Sequence, residues 1–296
     1  MKSLIRPFYR LLRANPLFQR VLRHELAALG AQDWSAAIVD RFIHGPSGAD
    51  YGVGAGAKAE LAAAFRAVTQ HVPSGTAPIV HVVLAEAILS IPRETEGVVV
   101  ECGCWKGASS ASLSRVCALT GRRLVVCDSF AGLPGDGMRR HVGVHTGVYG
   151  YYREGMFAGA LDEVQANIRA WGAIEVCDFV PGFFSESLKA LHSPVALGFL
   201  DVDLESSMRD CVRAIWPLLV EGGYLYSDDA GDLDVVKVFF DTAWWRETLD
   251  CSAPGFVGSG CGLPLSPSYS ALGYARKLGA FEESAWKRAG FLHYPE

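Results

Sequence analysis

A chain of 296 residues, half of them hydrophobic and a fifth charged, is long enough to bury a sizeable core and is ordinary for a globular protein. Its net charge of −5 gives no reason to expect nucleic acid as a partner. The eight cysteines include no CxxC pair and mostly sit in apolar segments, so they offer no zinc spacing and fit a reduced, cytoplasmic compartment.

The first 30 residues carry six bases (Lys2, Arg6, Arg10, Arg13, Arg20, Arg23) against Glu25, which leaves the rest of the chain near −10. They predict two short amphipathic helices broken at Pro7 and at Asn15-Pro16. Such a pair is expected to pack on the domain or on a second subunit, and the protein is expected to be a homo-oligomer. The alternative is a membrane-surface anchor. No uninterrupted apolar core for a signal peptide is present here. Residues 45–57, GPSGADYGVGAGA, predict a flexible loop. KAELAAAFRAVTQHV and PIVHVVLAEAILSI then predict helices split by the turn PSGTA. The second is the longest apolar stretch; it carries His81 and Glu86 and is too short to span a bilayer.

From Gly97 the rhythm changes. GVVVE, RLVVC, IEVCDFV, VALGFL and GGYLYS read as strands. Between and after them GASSASLSRVCAL, ALDEVQANIRAWG, SSMRDCVRAIWPLL and DVVKVFFDTAWW read as helices. Met208, Val212, Ile215 and Leu219 repeat at helical spacing. Uniformly apolar strands alternating with amphipathic helices predict a mostly parallel, doubly wound sheet covered on both faces. APGFVGSGCGL and ALGYARK predict a C-terminal antiparallel hairpin at its edge. The expected division is a helical N-terminal extension over 1–96, with a packing, dimer or lid role, and an α/β domain over 97–296.

Ligands in such sheets sit at the carboxyl ends of the strands. The first strand ends in Glu101, followed by Gly103 and Gly107, which allow a tight turn and close ligand approach, and by Ser109 and Ser110 opening a helix. The second ends in Asp128, about twenty residues on, placed to accept hydrogen bonds from a ribose diol. A dinucleotide would need a glycine where Trp105 stands, and Glu101 would repel its pyrophosphate. The same acid suits the cationic methionine end of S-adenosylmethionine. An NAD-dependent oxidoreductase is therefore the weaker alternative, beside a binding protein that holds S-adenosylmethionine without turnover.

VVECGCWKGASS, VVCDSFAGLP, LDVDLESSM and GGYLYSDDA together resemble the successive motifs of the TylF/MycF/NovP-type O-methyltransferases, over about residues 97–246. The resemblance implies a class I fold and Mg²⁺-dependent methyl transfer from S-adenosylmethionine to hydroxyls of sugars on natural products. It implies a cofactor site of Glu101, Gly103, Gly107, Ser109, Asp128, Ser129 and Phe130, with the turn at Gly182, Phe183 and Phe184 near the adenine. It also implies that Asp201, Asp228 and Asp229 hold the metal. The chemistry agrees, because Mg²⁺ takes oxygen ligands and three uncompensated carboxylates at neighbouring strand ends would repel. Asp203 and Glu205 are expected to start the following helix.

Asp201 is the first candidate for the base that accepts the hydroxyl proton, and His145 and His141 are the alternatives. Both histidines lie in the long segment GLPGDGMRRHVGVHTGVYGYYREGMFAG, read as a lid in which Tyr149, Tyr151, Tyr152 and Phe157 cover the acceptor. The family's DGDLYES is DVDLESS here, with Val202 for a glycine and no tyrosine, and Ala230 replaces the aromatic after the paired aspartates. These departures fall on the acceptor side.

Overall fold

The structure is a computed structural model that describes residues 34–135, 139–142, 149–265 and 270–278. The helix pair expected within residues 1–30 lies outside the described residues. Six strands form one sheet: β1 Val98–Cys102, β2 Leu124–Asp128, β5 Cys177–Pro181, β6 Val195–Leu200, β7 Leu219–Ser227 and β8 Gly273–Arg276. Their order is β5-β2-β1-β6-β7-β8, parallel except for β8, which pairs antiparallel with β7. The order reverses direction between β1 and β6, and in an open sheet that is where a ligand crevice opens.

The strands are apolar throughout because both faces are covered. Val99, Leu124, Val126, Leu197 and Phe199 enter one core; Val100, Val125, Cys127, Val195 and Leu200 enter the other. The first core is closed by α1 Trp34–His44, α2 Ala55–His71, α3 Pro78–Leu89, α4 Ala108–Thr120 and α5 Leu161–Trp171, through Phe42, Phe65, Leu84, Leu113 and Ile168 among others. The second is closed by α6 Glu205–Ile215, by the stretch 233–240 and by α7 Thr242–Leu249, with Met208, Ile215, Phe239 and Trp245 fully buried. Helices α1–α3 thus share one core with the sheet. α3 is buried on most of its circumference and opens with Pro78, whose missing N–H costs nothing at that position. No helix among the described residues is long and apolar enough to cross a membrane.

Several boundaries differ from expectation. The loop at 45–57 is pinned: Lys58 Nζ donates to the carbonyls of Gly45 (2.6 Å) and Ser47 (3.1 Å), and α2 already begins at Ala55. α6 stops at Ile215, because Pro217 cannot continue a helix, and Leu219 is the first residue of β7. The single helix expected over 234–245 is broken at Asp241, whose Oδ1 accepts the Trp244 amide at 3.1 Å and caps α7 instead. Among the described residues the C-terminal hairpin consists of β8 bridged antiparallel to Val257 at Tyr274, with the Leu263 amide donating to the Leu272 carbonyl at 2.8 Å. Within the segment read as a lid, β3 Arg139–Val142 and β4 Tyr149–Tyr152 form an antiparallel pair of their own.

Candidate active site

The end of β1 and the end of β6 meet through backbone. Gly103 has φ of +82°, and a Cβ there would lie 1.8 Å from the Asp201 carbonyl oxygen. The glycine is therefore required by the neighbouring strand end rather than by a ligand. Gly107, also at φ +82°, caps α4 where a Cβ would reach Val164 Cγ1 at 3.0 Å. Between them Trp105 takes a left-handed conformation (φ 44°) and packs edge-on against Phe157 at 6.0 Å between centroids.

Asp128 organises this turn from β2. Its Oδ2 accepts the Cys104 amide at 2.7 Å, its Oδ1 accepts the Phe130 amide at 2.8 Å, and its carbonyl accepts the Gly182 amide at 2.9 Å. Each carboxylate oxygen keeps a further lone pair for a ligand hydroxyl. Glu101 is fully buried; Ser110 Oγ donates to its Oε2, while Oε1 has no hydrogen-bond partner. Burial pushes its carboxyl up to about 7, against the opposing effect of the Ser109 and Ser110 hydroxyls and with a smaller upward contribution from Asp128.

A cavity of about 560 Å³ opens over these strand ends, within the size range of small-molecule sites. Gly103, Ser109, Asp128, Ser129 and Phe183 line it. Glu101, Gly107, Phe130 and Gly182, expected with them, are not in its wall. Glu101 lies behind Ser109 and Ser110, and Phe130 faces Phe179 at 6.5 Å. The buried, unpaired Oε1 of Glu101 is a fitting neighbour for a cationic ligand group.

Asp201, Asp203, Asp228 and Asp229 line the opposite side. One oxygen each from Asp201, Asp203 and Asp229 lie within 4.8 Å of one another. Asp229 is anchored: its Oδ2 accepts the amides of Val202 (3.1 Å) and Asp203 (3.2 Å). Asp203 does not start α6, which begins at Glu205; at φ 60° it turns back into the acid group. Asp228 Oδ1 is buried without a partner. Burial raises the Asp201 carboxyl well above its usual range, and Asp228, Asp229 and Asp203 raise it further. Asp228 is pushed up to about 8 by burial and by Asp203. Asp229 is raised by burial and then by Asp203. Three oxygen donors this close fit a hard divalent cation; Asp228, expected among the ligands, lines the same cavity with its orphaned buried oxygen but lies outside that group of three.

Tyr152, at the end of β4, hydrogen-bonds Asp203; its hydroxyl is raised first by burial and then by Asp203 and Asp229. The hairpin therefore reaches the acids. His145 lies outside the described residues; the backbone of His141 pairs with Gly150 in β3. Sequence reasoning passed over the Pro73–Thr76 turn, which also lines the cavity. Its small polar residues carry no local mark of a site, since the contact is made by residues distant in the chain.

The sequence model of the family described as macrocin-O-methyltransferase (TylF) matches residues 79–254. The chain is 34% identical over 138 residues to the 8-demethyl-8-(2,3-dimethoxy-alpha-L-rhamnosyl)-tetracenomycin-C 4'-O-methyltransferase of Streptomyces olivaceus, covering 45% of this chain and 52% of that one. It is 29% identical over 144 residues to the demethyldecarbamoylnovobiocin O-methyltransferase of Streptomyces niveus, covering 47% and 55%. The chain thus spans about half the length of the curated relatives it matches. Among solved structures, the O-methyltransferase NovP superposes with a TM-score of 0.53 at 21% identity, over 68% of this chain and 81% of that one, which shows the shared fold. The match covers more than half of the sequence, and the chain belongs to the macrocin-O-methyltransferase (TylF) family.

Proposed function

We propose that this protein is a Mg²⁺-dependent O-methyltransferase that carries a methyl group from S-adenosylmethionine to a hydroxyl of a small, sugar-containing natural product. One observation carries the reading: the glycine turn with Asp128 and the acids at the ends of β6 and β7 face each other across one cavity. Family membership supports the methyl donor, and the two Streptomyces relatives, whose names specify glycosylated or decorated natural products, support the acceptor class.

When bound, S-adenosylmethionine supplies an electrophilic methyl on a sulfonium, and Mg²⁺ supplies charge that favours ionisation of a hydroxyl. The rest falls to the chain. Asp128 accepts from the ribose hydroxyls, with Ser129 beside it and Phe183 offering an apolar face. Ser109 would line the methionine end, with the buried carboxylate of Glu101 behind it. Asp201 and Asp229 would hold the ion with Asp228 as the third ligand, while Asp203, which shares their close group of oxygens and is tied to the β3–β4 hairpin through Tyr152, is the rival for that third position. Asp201, a carboxylate in the wall of the cavity at the end of β6, is the acceptor assigned to the hydroxyl proton. Trp105, Phe157 and Tyr152 close the cavity and exclude water. Residues 97–296 make up the cofactor-binding unit, and 1–96 add an acceptor-side wall at Pro73–Thr76.

Titration calorimetry with S-adenosylhomocysteine, paired with methyl transfer to a panel of rhamnosides and other glycosides, tests this. Binding with transfer is expected. Binding without transfer on a broad panel would leave a cofactor-binding protein, and tight NAD binding in its place would overturn the reading.

A further inference from the structure

His81 is fully buried in α3, yet both ring nitrogens are engaged. Nε2 and Thr76 Oγ1 share a hydrogen bond of 2.6 Å, and Nδ1 and Ser112 Oγ share one of 2.9 Å. The Phe65 ring stands edge-on at 6.0 Å between centroids. Thr76 ends the Pro73–Thr76 turn, and Ser74 Oγ donates to its carbonyl at 2.8 Å. Ser112 belongs to α4, the helix whose first turn carries Ser109 and Ser110. A single imidazole thus joins the N-terminal helical layer to the helix behind the cofactor side.

The turn it holds reaches the acids. A Cβ on Gly75 would stand 3.9 Å from Asp201 Oδ2, which is ordinary van der Waals contact. Gly75, Thr76, Asp228 and Ala271 line both the main cavity and a second one of about 640 Å³ between α1, α2 and α3. Asp128, Ser109 and Phe183 line only the first. The turn is therefore a partition on the acid side of the site, away from the ribose side.

We propose that His81 is a positioning residue for the acceptor: through Thr76 it fixes the Pro73–Thr76 turn against Asp201, and that turn orients the hydroxyl to be methylated. This rests on the functional reading above. Burial holds the imidazole at about 4, so it stays neutral near pH 7 and serves as a fixed pair of hydrogen-bonding atoms rather than as a base. Losing it removes the shorter of the two hydrogen bonds of the Thr76 hydroxyl and leaves only the 3.3 Å contact with Ser74 Oγ, which lies within the turn and cannot tie it to α3. The turn would then leave the acids.

The test uses Thr76→Val, which keeps the shape and removes the hydroxyl, with Thr76→Ser as the conservative variant and His81→Phe as the second route. Thr76→Val is expected to raise the acceptor KM about tenfold, the scale of one lost buried hydrogen bond, with S-adenosylhomocysteine affinity within about twofold of wild type. Thr76→Ser should recover most of that KM. Hydrogen exchange should speed up about tenfold in the Ser74, Gly75 and Thr76 amides and stay unchanged in β1 and β2. Equal losses of cofactor affinity and acceptor KM, or unchanged exchange in the turn, would overturn the proposal. Because exchange needs no turnover, a wild type that transfers no methyl group would sink the functional reading separately and leave the anchoring claim to be decided by exchange. If His81→Phe fails to fold, the two threonine variants decide it.

Discussion

Gly103 and Asp201 are in direct backbone contact, so tight that a Cβ on the glycine would stand 1.8 Å from the aspartate's carbonyl oxygen. Asp201 in turn donates its amide to the Cys102 carbonyl at 2.9 Å. The turn on the cofactor side is thus the surface on which the first acid rests, and a change in one displaces the other.

Gly103→Ala should therefore cost stability and function together. Its φ of +82° disfavours any side chain, and the clash is with backbone, which cannot rotate away. A loss of at least about 1–3 kcal/mol in urea denaturation is expected, with weaker Mg²⁺ binding in whatever remains folded. Wild-type stability in the variant would contradict the packing described.

Asp128→Asn tests the ribose side. The amide can still accept one of the two backbone N–H groups at Cys104 and Phe130, so the fold should survive. S-adenosylhomocysteine affinity should fall by roughly 1–3 kcal/mol, read by calorimetry, because a charged acceptor is lost. Unchanged affinity would remove Asp128 from the site.

His81 sets one pH response. Its ordinary value is 6.5 and burial lowers it to about 4 in the folded chain. As pH falls between those values the unfolded chain takes up a proton and the folded chain does not, so stability declines. Glu101, raised to about 7 by burial, acts in the opposite sense: its contribution is present at low pH and lost as pH rises through 7. The difference between wild type and His81→Gln isolates the first. That difference should shift by about 2 kcal/mol against the wild type between pH 7 and pH 5 in urea denaturation. A flat difference would mean that the imidazole is solvated.

Much of this site is legible in the sequence. VVVEC, LVVCD and VALGFLD announce buried strands ending in acids, because a doubly covered sheet needs continuous apolar runs and the acids mark where water or a ligand begins. What escapes is set by tertiary contact. Asp203 reads as a helix-starting acid until its φ of 60° turns it towards Asp201 and Asp229. Glu101 reads as a ligand-facing strand end, yet its side chain lies beneath α4. The PSGTA turn reads as a spacer between helices, and only packing on the sheet brings Gly75 to Asp201. Asp241 sits inside a helical pattern and ends it by capping the next helix.

The acids predict a pH-dependent response to Mg²⁺. Asp228, raised to about 8 by burial and by Asp203, contributes stability in its protonated form that is lost as pH rises through 8. A cation replaces the proton, so Mg²⁺ should raise the melting temperature more at pH 8 than at pH 6. Asp228→Asn should weaken Mg²⁺ binding more than Asp203→Asn; the reverse order would give Asp203 the third ligand position.

The most direct test is methyl transfer to the best glycoside acceptor, measured in EDTA and again after Mg²⁺ is restored, for wild type and Asp201→Asn. The wild type should be inactive in chelator and recover with Mg²⁺. Asp201→Asn should stay inactive in both conditions while still binding S-adenosylhomocysteine, since the cofactor rests on the ends of β1 and β2. Full activity in chelator, or an active Asp201→Asn enzyme, would contradict the account.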